Sequence, residues 1–193
     1  MITTFLLDLD DTIVDGKVYA KIYPEILEML KSKGIDLAQE VKKLGLKKNK
    51  FGRWDSGDLC RKLDLLNDYY QILKPQIKLS FNLKEEIVPI LKELKEKRVG
   101  IVSNTMLRTI QIYLKKYDLE KYFEFIFSFE DSEHRKDQQQ CWQDLIKKEH
   151  LNPKKCLVIG DDPIEDIEIP SKLGFKTLLI RESKDLKQIL RFI

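Results

Sequence analysis

Short apolar runs alternate with helical segments along this chain, and the alternation restricts the fold more than any other feature. Five runs have the composition of buried strands, and they occupy residues 3–7, 99–102, 125–127, 156–159 and 177–180. Segments with helical periodicity separate the last four runs, at about residues 106–116, 139–150 and 165–173. Strands that alternate with helices usually pair in parallel, with helices packed on both faces. The pattern therefore predicts an α/β fold with a doubly wound parallel sheet.

The segment between the first two runs shows no strand pattern. Its apolar residues follow helical spacing, at about residues 17–33, 37–44, 56–73 and 83–97. The third of these helices is expected to begin after Asp55, a suitable N-cap. The last one leads directly into the second strand and so belongs to the sheet. We therefore predict a core formed by residues 1–14 and 81–193, with a helical insertion at residues 15–80.

The charge balance and the apolar content restrict where the protein works. A formal charge of +3, from 35 basic and 32 acidic residues, is too small to indicate a nucleic-acid partner. No stretch reaches the roughly 20 apolar residues that cross a bilayer, and the apolar start meets Asp8 too soon for a signal peptide. Cys60, Cys141 and Cys156 are interpreted as reduced core thiols. We expect a cytoplasmic protein without a membrane partner, and nothing in the sequence indicates an oligomeric state.

Carboxylates are concentrated where the predicted strands end. The polar residues at these ends are Asp8, Asp10, Ser103, Asn104, Asp161, Asp162 and Asp166. Ligands of open parallel sheets bind outside the carboxyl ends of the strands, and several carboxylates gathered there repel one another unless a cation intervenes. Oxygen ligands favour Mg²⁺. Ser and Asp are also common helix N-caps, so Ser103 and Asp162 have that second interpretation.

Four segments resemble, in order, the motifs of the haloacid dehalogenase-like superfamily. The first is FLLDLDDT, which ends at Thr12, and the second is Ser103-Asn104 after a strand. Lys136, ahead of a helix that contains Trp142, resembles the third motif, and residues 160–166 resemble the fourth. The resemblance covers residues 3–14 and 83–180. It implies a Rossmann-like core in which the helical insertion occupies the position of the family's cap.

The resemblance also implies a Mg²⁺-dependent phosphatase that acts on a small phosphorylated metabolite. Asp8 would be the nucleophile that forms an aspartyl-phosphate, and Asp10 would be the general acid and base. The metal would be held by Asp8, Asp161 and the backbone carbonyl of Asp10, with Asp166 in support. The phosphate would be bound by Thr12, Ser103, Asn104 and Lys136.

Two residues depart from the family pattern. Asp137 follows Lys136 where relatives often have proline, and Arg135 precedes it as the alternative phosphate-binding cation. Asp11 stands where many relatives have glycine. Three other activities also compete with the phosphatase interpretation. A phosphomutase or phosphotransferase would use the same Asp8, a binding module would have lost the catalytic set, and a dehalogenase would need neither Asp10 nor the metal.

A basic segment lies inside the insertion. Between residues 42 and 53 the chain has six basic residues and no acid, and they are Lys42, Lys43, Lys47, Lys48, Lys50 and Arg53. The segment either attracts an anionic substrate or forms a solvated face. Phe51 and Trp54 could line a pocket there or pack between helices. A mobile cap that closes over the site would place a hinge near Gly16.

Overall fold

A five-stranded parallel sheet forms the centre of the computed structural model, which describes residues 1–49 and 52–193. Its strands are β1 Thr4–Leu7, β2 Arg98–Val102, β3 Phe125–Phe127, β4 Cys156–Gly160 and β5 Lys176–Leu179. Their order across the sheet is β3-β2-β1-β4-β5, and all neighbours are parallel. The four residues of β1 are buried on both faces, as expected for a central strand covered by helices on both sides. The doubly wound α/β prediction is confirmed.

Eight α-helices occur in the described part of the chain: α1 Lys17–Ser32, α2 Leu37–Lys43, α3 Ser56–Lys62, α4 Leu66–Leu79, α5 Ile87–Glu93, α6 Leu107–Tyr117, α7 Gln139–Lys148 and α8 Ile169–Lys172. A π-helical turn, Pro163–Glu168, precedes α8. Short 3₁₀ segments lie at Glu120–Tyr122, Phe129–Asp131, Pro153–Lys155 and Ser183–Phe192.

The prediction of one continuous helix at residues 56–73 is wrong, because the structure has two helices there, α3 and α4. Asp64 adopts a left-handed conformation with φ of 58°, and the Leu65 N–H donates to the Cys60 carbonyl to close α3. Aspartate is one of the few residues that tolerates this conformation. Apolar spacing continues across the break and conceals it. The start of α3 is as predicted, since the Asp55 side chain accepts a hydrogen bond from the Asp58 N–H at 3.0 Å.

The helix predicted at 83–97 is shorter in the structure. Leu83 pairs with Val14 in an antiparallel bridge, so the helix cannot begin until after this residue. Turns replace its last residues, and α5 spans only Ile87–Glu93.

A 3₁₀ segment near the end of the sequence, Ser183–Phe192, was not predicted. It packs on α5, and its buried residues are Leu186 and Ile189.

The chain divides into two compact units, Met1–Asp15 with Asn82–Ile193 and Gly16–Phe81. In the second unit α1 packs on α4, and the buried residues of these helices are Val18, Ile22, Ile26, Leu30, Tyr69, Tyr70, Leu73 and Ile77. Hydrophobic burial of these two faces is the main force that stabilises such a small helical unit. No helix in the described ranges is long and apolar enough to cross a membrane.

Two side chains of the basic segment stack on aromatic rings of their own unit. The Lys48 ammonium lies 4.7 Å from the centre of the Trp54 ring, and the Arg53 guanidinium lies 5.9 Å from that of Tyr23. Lys50 and Phe51 lie outside the described residues. The stacked cations gain cation–π attraction, which at exposed sites is of order 0.5–1 kcal/mol.

The three cysteines are buried and free, as predicted. Burial raises the pKa of the Cys60 and Cys141 thiols to about 12 and that of Cys156 to about 11. Thiols with raised pKa carry almost no thiolate at neutral pH, so they act as small apolar residues in the core.

Gly100 of β2 lies opposite Phe125 of β3, and the phenyl ring covers the glycine. A Cβ at Gly100 would lie 2.3 Å from the nearest ring atom. The ring is also covered from outside, since the Arg98 guanidinium lies 4.7 Å from its centre. A side chain at position 100 and this ring position therefore exclude each other.

We expect Gly100→Ala to lower the free energy of unfolding by about 1–3 kcal/mol, the usual effect of overpacking. Phe125→Leu removes the ring, so adding it to Gly100→Ala should cost less than it costs alone. Urea denaturation of the four proteins gives the interaction free energy. Additive effects of the two substitutions would contradict the steric explanation.

Candidate active site

Asp8 follows β1 directly, and its backbone continues the sheet. Its N–H donates to the Ile159 carbonyl of β4 at 2.8 Å, which fixes the position of the residue beyond the end of the strand. Only 7% of Asp8 is exposed. One carboxylate oxygen, Oδ1, accepts a hydrogen bond from the Lys136 ammonium at 2.5 Å. Asp8 is thus a buried carboxylate held at the carboxyl edge of the central strand.

The ammonium group of Lys136 contacts three separate segments of the chain. Its Nζ donates to Asp8 Oδ1, to Asp166 Oδ1 at 2.7 Å and to the Val102 carbonyl of β2 at 3.3 Å. Three acceptors match the three N–H groups of an ammonium ion. By contrast, the guanidinium of Arg135 lies 4.8 Å from the centre of the Phe129 ring. Lys136 is therefore the basic residue of this pair that meets Asp8.

The charges in this cluster do not balance. Burial by itself lowers the pKa of Lys136, but Asp166 and Asp8 more than offset it and raise that pKa above its usual value. Burial also raises the pKa of Asp8. The Lys136 ammonium opposes this rise, and the charges of Asp166 and Asp10 add to it. Lys136 therefore keeps its positive charge. The carboxylates around it still repel one another, since one ammonium ion cannot neutralise all of them.

The turn after β4 places two more aspartates. Asp162 Oδ1 accepts hydrogen bonds from the N–H groups of Ile164 and Glu165, at 2.9 and 3.1 Å. The capping interpretation of Asp162 is therefore confirmed. Asp166 is 1% exposed, and its Oδ2 accepts from the Asp162 N–H at 3.0 Å. The segment that carries Asp166 is a π-helical turn, Pro163–Glu168, and such turns are rare and frequently occur at functional sites.

Gly160, the last residue of β4, makes room for Asp166. A Cβ at position 160 would lie 2.2 Å from the carboxyl carbon of Asp166. Such a distance is far inside van der Waals contact, so any side chain at Gly160 would displace the carboxylate.

Three carboxylates could hold a metal ion. Asp8, Asp161 and Asp166 each offer an oxygen, and these oxygens lie within 4.8 Å of one another. Oxygen donors of this kind suit a hard divalent cation such as Mg²⁺. The carboxylate of Asp10 is not one of the three, and its Oδ2 accepts a hydrogen bond from the Thr105 hydroxyl at 2.5 Å. The predicted metal ligand of Asp10 is its backbone carbonyl and not this carboxylate.

The predicted phosphate-binding residues occupy different environments. Ser103 is 4% exposed, and its Oγ accepts a hydrogen bond from the Thr105 N–H at 3.2 Å. Thr12 is fully buried, and its hydroxyl has no hydrogen-bond partner among residues 1–49 and 52–193. The amide of Asn104 is engaged at both ends. It donates to Glu165 Oε2 at 2.8 Å and accepts from the Lys136 N–H at 3.0 Å.

Sequence reasoning missed two residues of this site. Thr105, which donates to Asp10, directly follows the Ser103-Asn104 pair, so its position next to a motif was a usable signal. Glu165 lies within the fourth-motif segment and at the start of the helix predicted at 165–173, but neither pattern indicates its contact with Asn104. Burial raises the pKa of its carboxyl group, and the Lys136 ammonium opposes that rise.

Asp11, the residue that departs from the family's glycine, has φ of 57°. Glycine adopts left-handed conformations without strain, and aspartate is one of the few other residues that does so routinely. Glycine and aspartate can therefore both adopt the backbone found at this position.

Solved structures share this fold along nearly the whole chain. A HAD phosphatase from Thermococcus onnurineus matches with a TM-score of 0.72 and 19% identity, covering 98% of each chain. The HAD-hydrolase YfnB of Bacillus subtilis, solved bound to magnesium, matches with a TM-score of 0.64 and 20% identity, again covering 98% of each chain. At these identities the likeness concerns the fold.

Sequence comparison gives the family. The pyrophosphatase PpaX of Bacillus anthracis is 28% identical over 98 residues, which are 50% of this chain and 45% of PpaX. The chain thus spans about half the length of the curated relatives it matches. The model of one family matches almost the entire chain, from residue 5 to residue 180. With the motif residues gathered at one edge of the sheet, the match shows that the chain belongs to the haloacid dehalogenase-like hydrolase family.

Proposed function

We propose that the protein is a Mg²⁺-dependent phosphomonoesterase that hydrolyses a small phosphorylated metabolite through an aspartyl-phosphate on Asp8. The observation that carries the proposal is the contact of the Lys136 ammonium with Asp8 and Asp166. These two carboxylates and that of Asp161 have oxygens close enough together to bind one metal ion. Phosphoryl transfer requires a nucleophile in line and positive charge around the transferred group. In this proposal Asp8 would supply the nucleophile, and Lys136 would supply positive charge.

Each group has a defined task in this mechanism. The Asp8 carboxylate attacks phosphorus, the bond to the leaving oxygen breaks, and Asp10 donates a proton to that oxygen. Asp10 then takes a proton from water, whose oxygen attacks phosphorus and releases inorganic phosphate and free Asp8. Ser103 would donate a hydrogen bond to a phosphoryl oxygen, and Lys136 would do so by redirecting one of its three N–H groups from its present acceptors. A Mg²⁺ ion held by Asp8, Asp161 and Asp166 would supply the charge that lets two anions approach.

The proposal also assigns a role to the second unit. Residues 16–81 would form a helical cap that selects the leaving group, with the basic segment as a candidate surface for anionic substrates. The partial match to PpaX makes inorganic pyrophosphate one substrate to test beside phosphomonoesters. A phosphomutase would use the same Asp8 and differ only in the acceptor of the phosphoryl group.

Replacing the nucleophile tests the reaction class. Asp8→Asn should reduce phosphate release from p-nitrophenyl phosphate to background, because an amide cannot form the aspartyl-phosphate. Asp11→Asn is the matched control, since Asp11 is exposed and asparagine also tolerates its left-handed backbone. It should keep wild-type activity, and EDTA should abolish the activity of both active proteins. A wild-type protein that binds Mg²⁺ yet releases no phosphate from a phosphomonoester panel or pyrophosphate would sink the proposal.

The adjacent aspartates of the fourth motif should separate metal binding from capping. We expect Asp161→Asn to weaken Mg²⁺ binding about tenfold or more, the loss seen when a group supporting a metal site is removed. Asp162→Asn should bind Mg²⁺ as the wild type does, because an amide oxygen can still cap the turn. The Mg²⁺-dependent rise in melting temperature measures both affinities without a substrate. Equal losses for the two variants would reject Asp161 as a ligand.

Removal of Lys136 should affect both stability and turnover. Lys136→Ala leaves Asp8 and Asp166 buried without their cation, which should lower the free energy of unfolding by roughly 3 kcal/mol at pH 7. The loss should shrink in acid, where Asp8, whose pKa is raised by burial, can protonate. Turnover of the folded fraction should fall by about 10²-fold, the effect of losing one positioned donor. Arg135→Ala is the control, and greater damage from it would move the assignment to Arg135.

A further inference from the structure

Side-chain hydrogen bonds hold the main chain of Lys136 on both sides. Its N–H donates to Asn104 Oδ1 at 3.0 Å, and its carbonyl accepts from the Trp142 indole at 3.0 Å. Trp142 is fully buried in the core beside the sheet. The position of this backbone sets the point from which the Lys136 side chain extends to Asp8. Asp137 stands where a proline ring would otherwise restrict the backbone on both sides of the 136–137 bond.

The Asn104 amide has two possible orientations, and its neighbours allow only one. An amide group presents an acceptor oxygen on one side and a donor NH₂ on the other. The Lys136 N–H is a donor and requires the oxygen. Glu165 Oε2, 2.8 Å from Asn104 Nδ2, is an acceptor and requires the NH₂. Glu165 therefore fixes which side of Asn104 faces Lys136.

We propose that Asn104 and Glu165 form a positioning pair that holds the Lys136 backbone in register with Asp8. The pair links the loop after β2, the Lys136 loop and the π-helical turn, since Glu165 immediately precedes Asp166. Asn104 thus acts through Lys136 and not by direct contact with phosphate, and Glu165 acts through Asn104. The proposal rests on the phosphatase function for its kinetic consequence, and its structural consequence is independent of that function.

Exchange of the two side-chain types tests the pair. Asn104→Asp still accepts from the Lys136 N–H but faces the Glu165 carboxylate, so like charges repel. We expect kcat to fall about 10- to 100-fold, the range for a misplaced catalytic group, while KM changes little. Glu165→Gln alone should have a small effect, because the new amide oxygen can still accept. In the double variant the amide NH₂ introduced at position 165 can donate to the carboxylate introduced at position 104, which should recover most of the lost kcat.

A double variant no better than Asn104→Asp would overturn the proposal. If Asn104→Asp does not fold, recovery of the folded state by Glu165→Gln supports the pair, and no recovery overturns it. Hydrogen exchange of the Lys136 amide provides a readout without substrate. Glu165→Ala should speed this exchange although Glu165 does not touch Lys136, and unchanged exchange would overturn the proposal. If the wild type releases no phosphate, only the phosphatase function is rejected, and hydrogen exchange still decides on the pair.

Discussion

The ammonium of Lys136 is the contact on which the rest of the site depends. It is buried between Asp8 at the end of β1, the Val102 carbonyl at the end of β2 and Asp166 in the π-helical turn. Burying such charges is expensive, and a well-packed apolar substitute is often equally stable. Stability alone therefore does not account for this cluster. The proposed chemistry would account for it, because phosphoryl transfer needs positive charge beside the nucleophile.

The same cluster explains why a metal ion fits the site. Asp8, Asp161 and Asp166 contribute three negative charges within a few ångströms, and Lys136 returns one positive charge. A divalent cation would make this sum zero. In the proposed mechanism, the excess negative charge left without a metal would repel a phosphate dianion at the position where Asp8 would attack. Metal binding and substrate binding would then be coupled by charge, and burial would strengthen that coupling.

Sequence predicted the elements of this site better than its contacts. Strand ends place Asp8, Ser103 and Asp161 at one edge because parallel strands share their carboxyl edge. Lys136 is 128 residues from Asp8, and only the family resemblance indicated it. Asn104 and Glu165 lie in two different motif segments, but their contact spans 61 residues and neither motif indicates it, so it required coordinates. The break at Asp64 could not be seen in the sequence, because the apolar residues keep helical spacing on both sides of the point where the helix ends.

The two departures from the family pattern have different physical consequences. At Asp11 the backbone is left-handed, and glycine and aspartate both adopt that conformation, so the exchange needs no compensation. At Asp137 a ring that would restrain the Lys136 backbone is absent, and that backbone is held by a hydrogen bond accepted from the Trp142 indole and one donated to Asn104. A hydrogen-bonded restraint depends on its partners, whereas a proline ring does not. The position of Lys136 in this chain therefore depends on two hydrogen-bond partners, Asn104 in the second motif and Trp142 in the helix that follows the third.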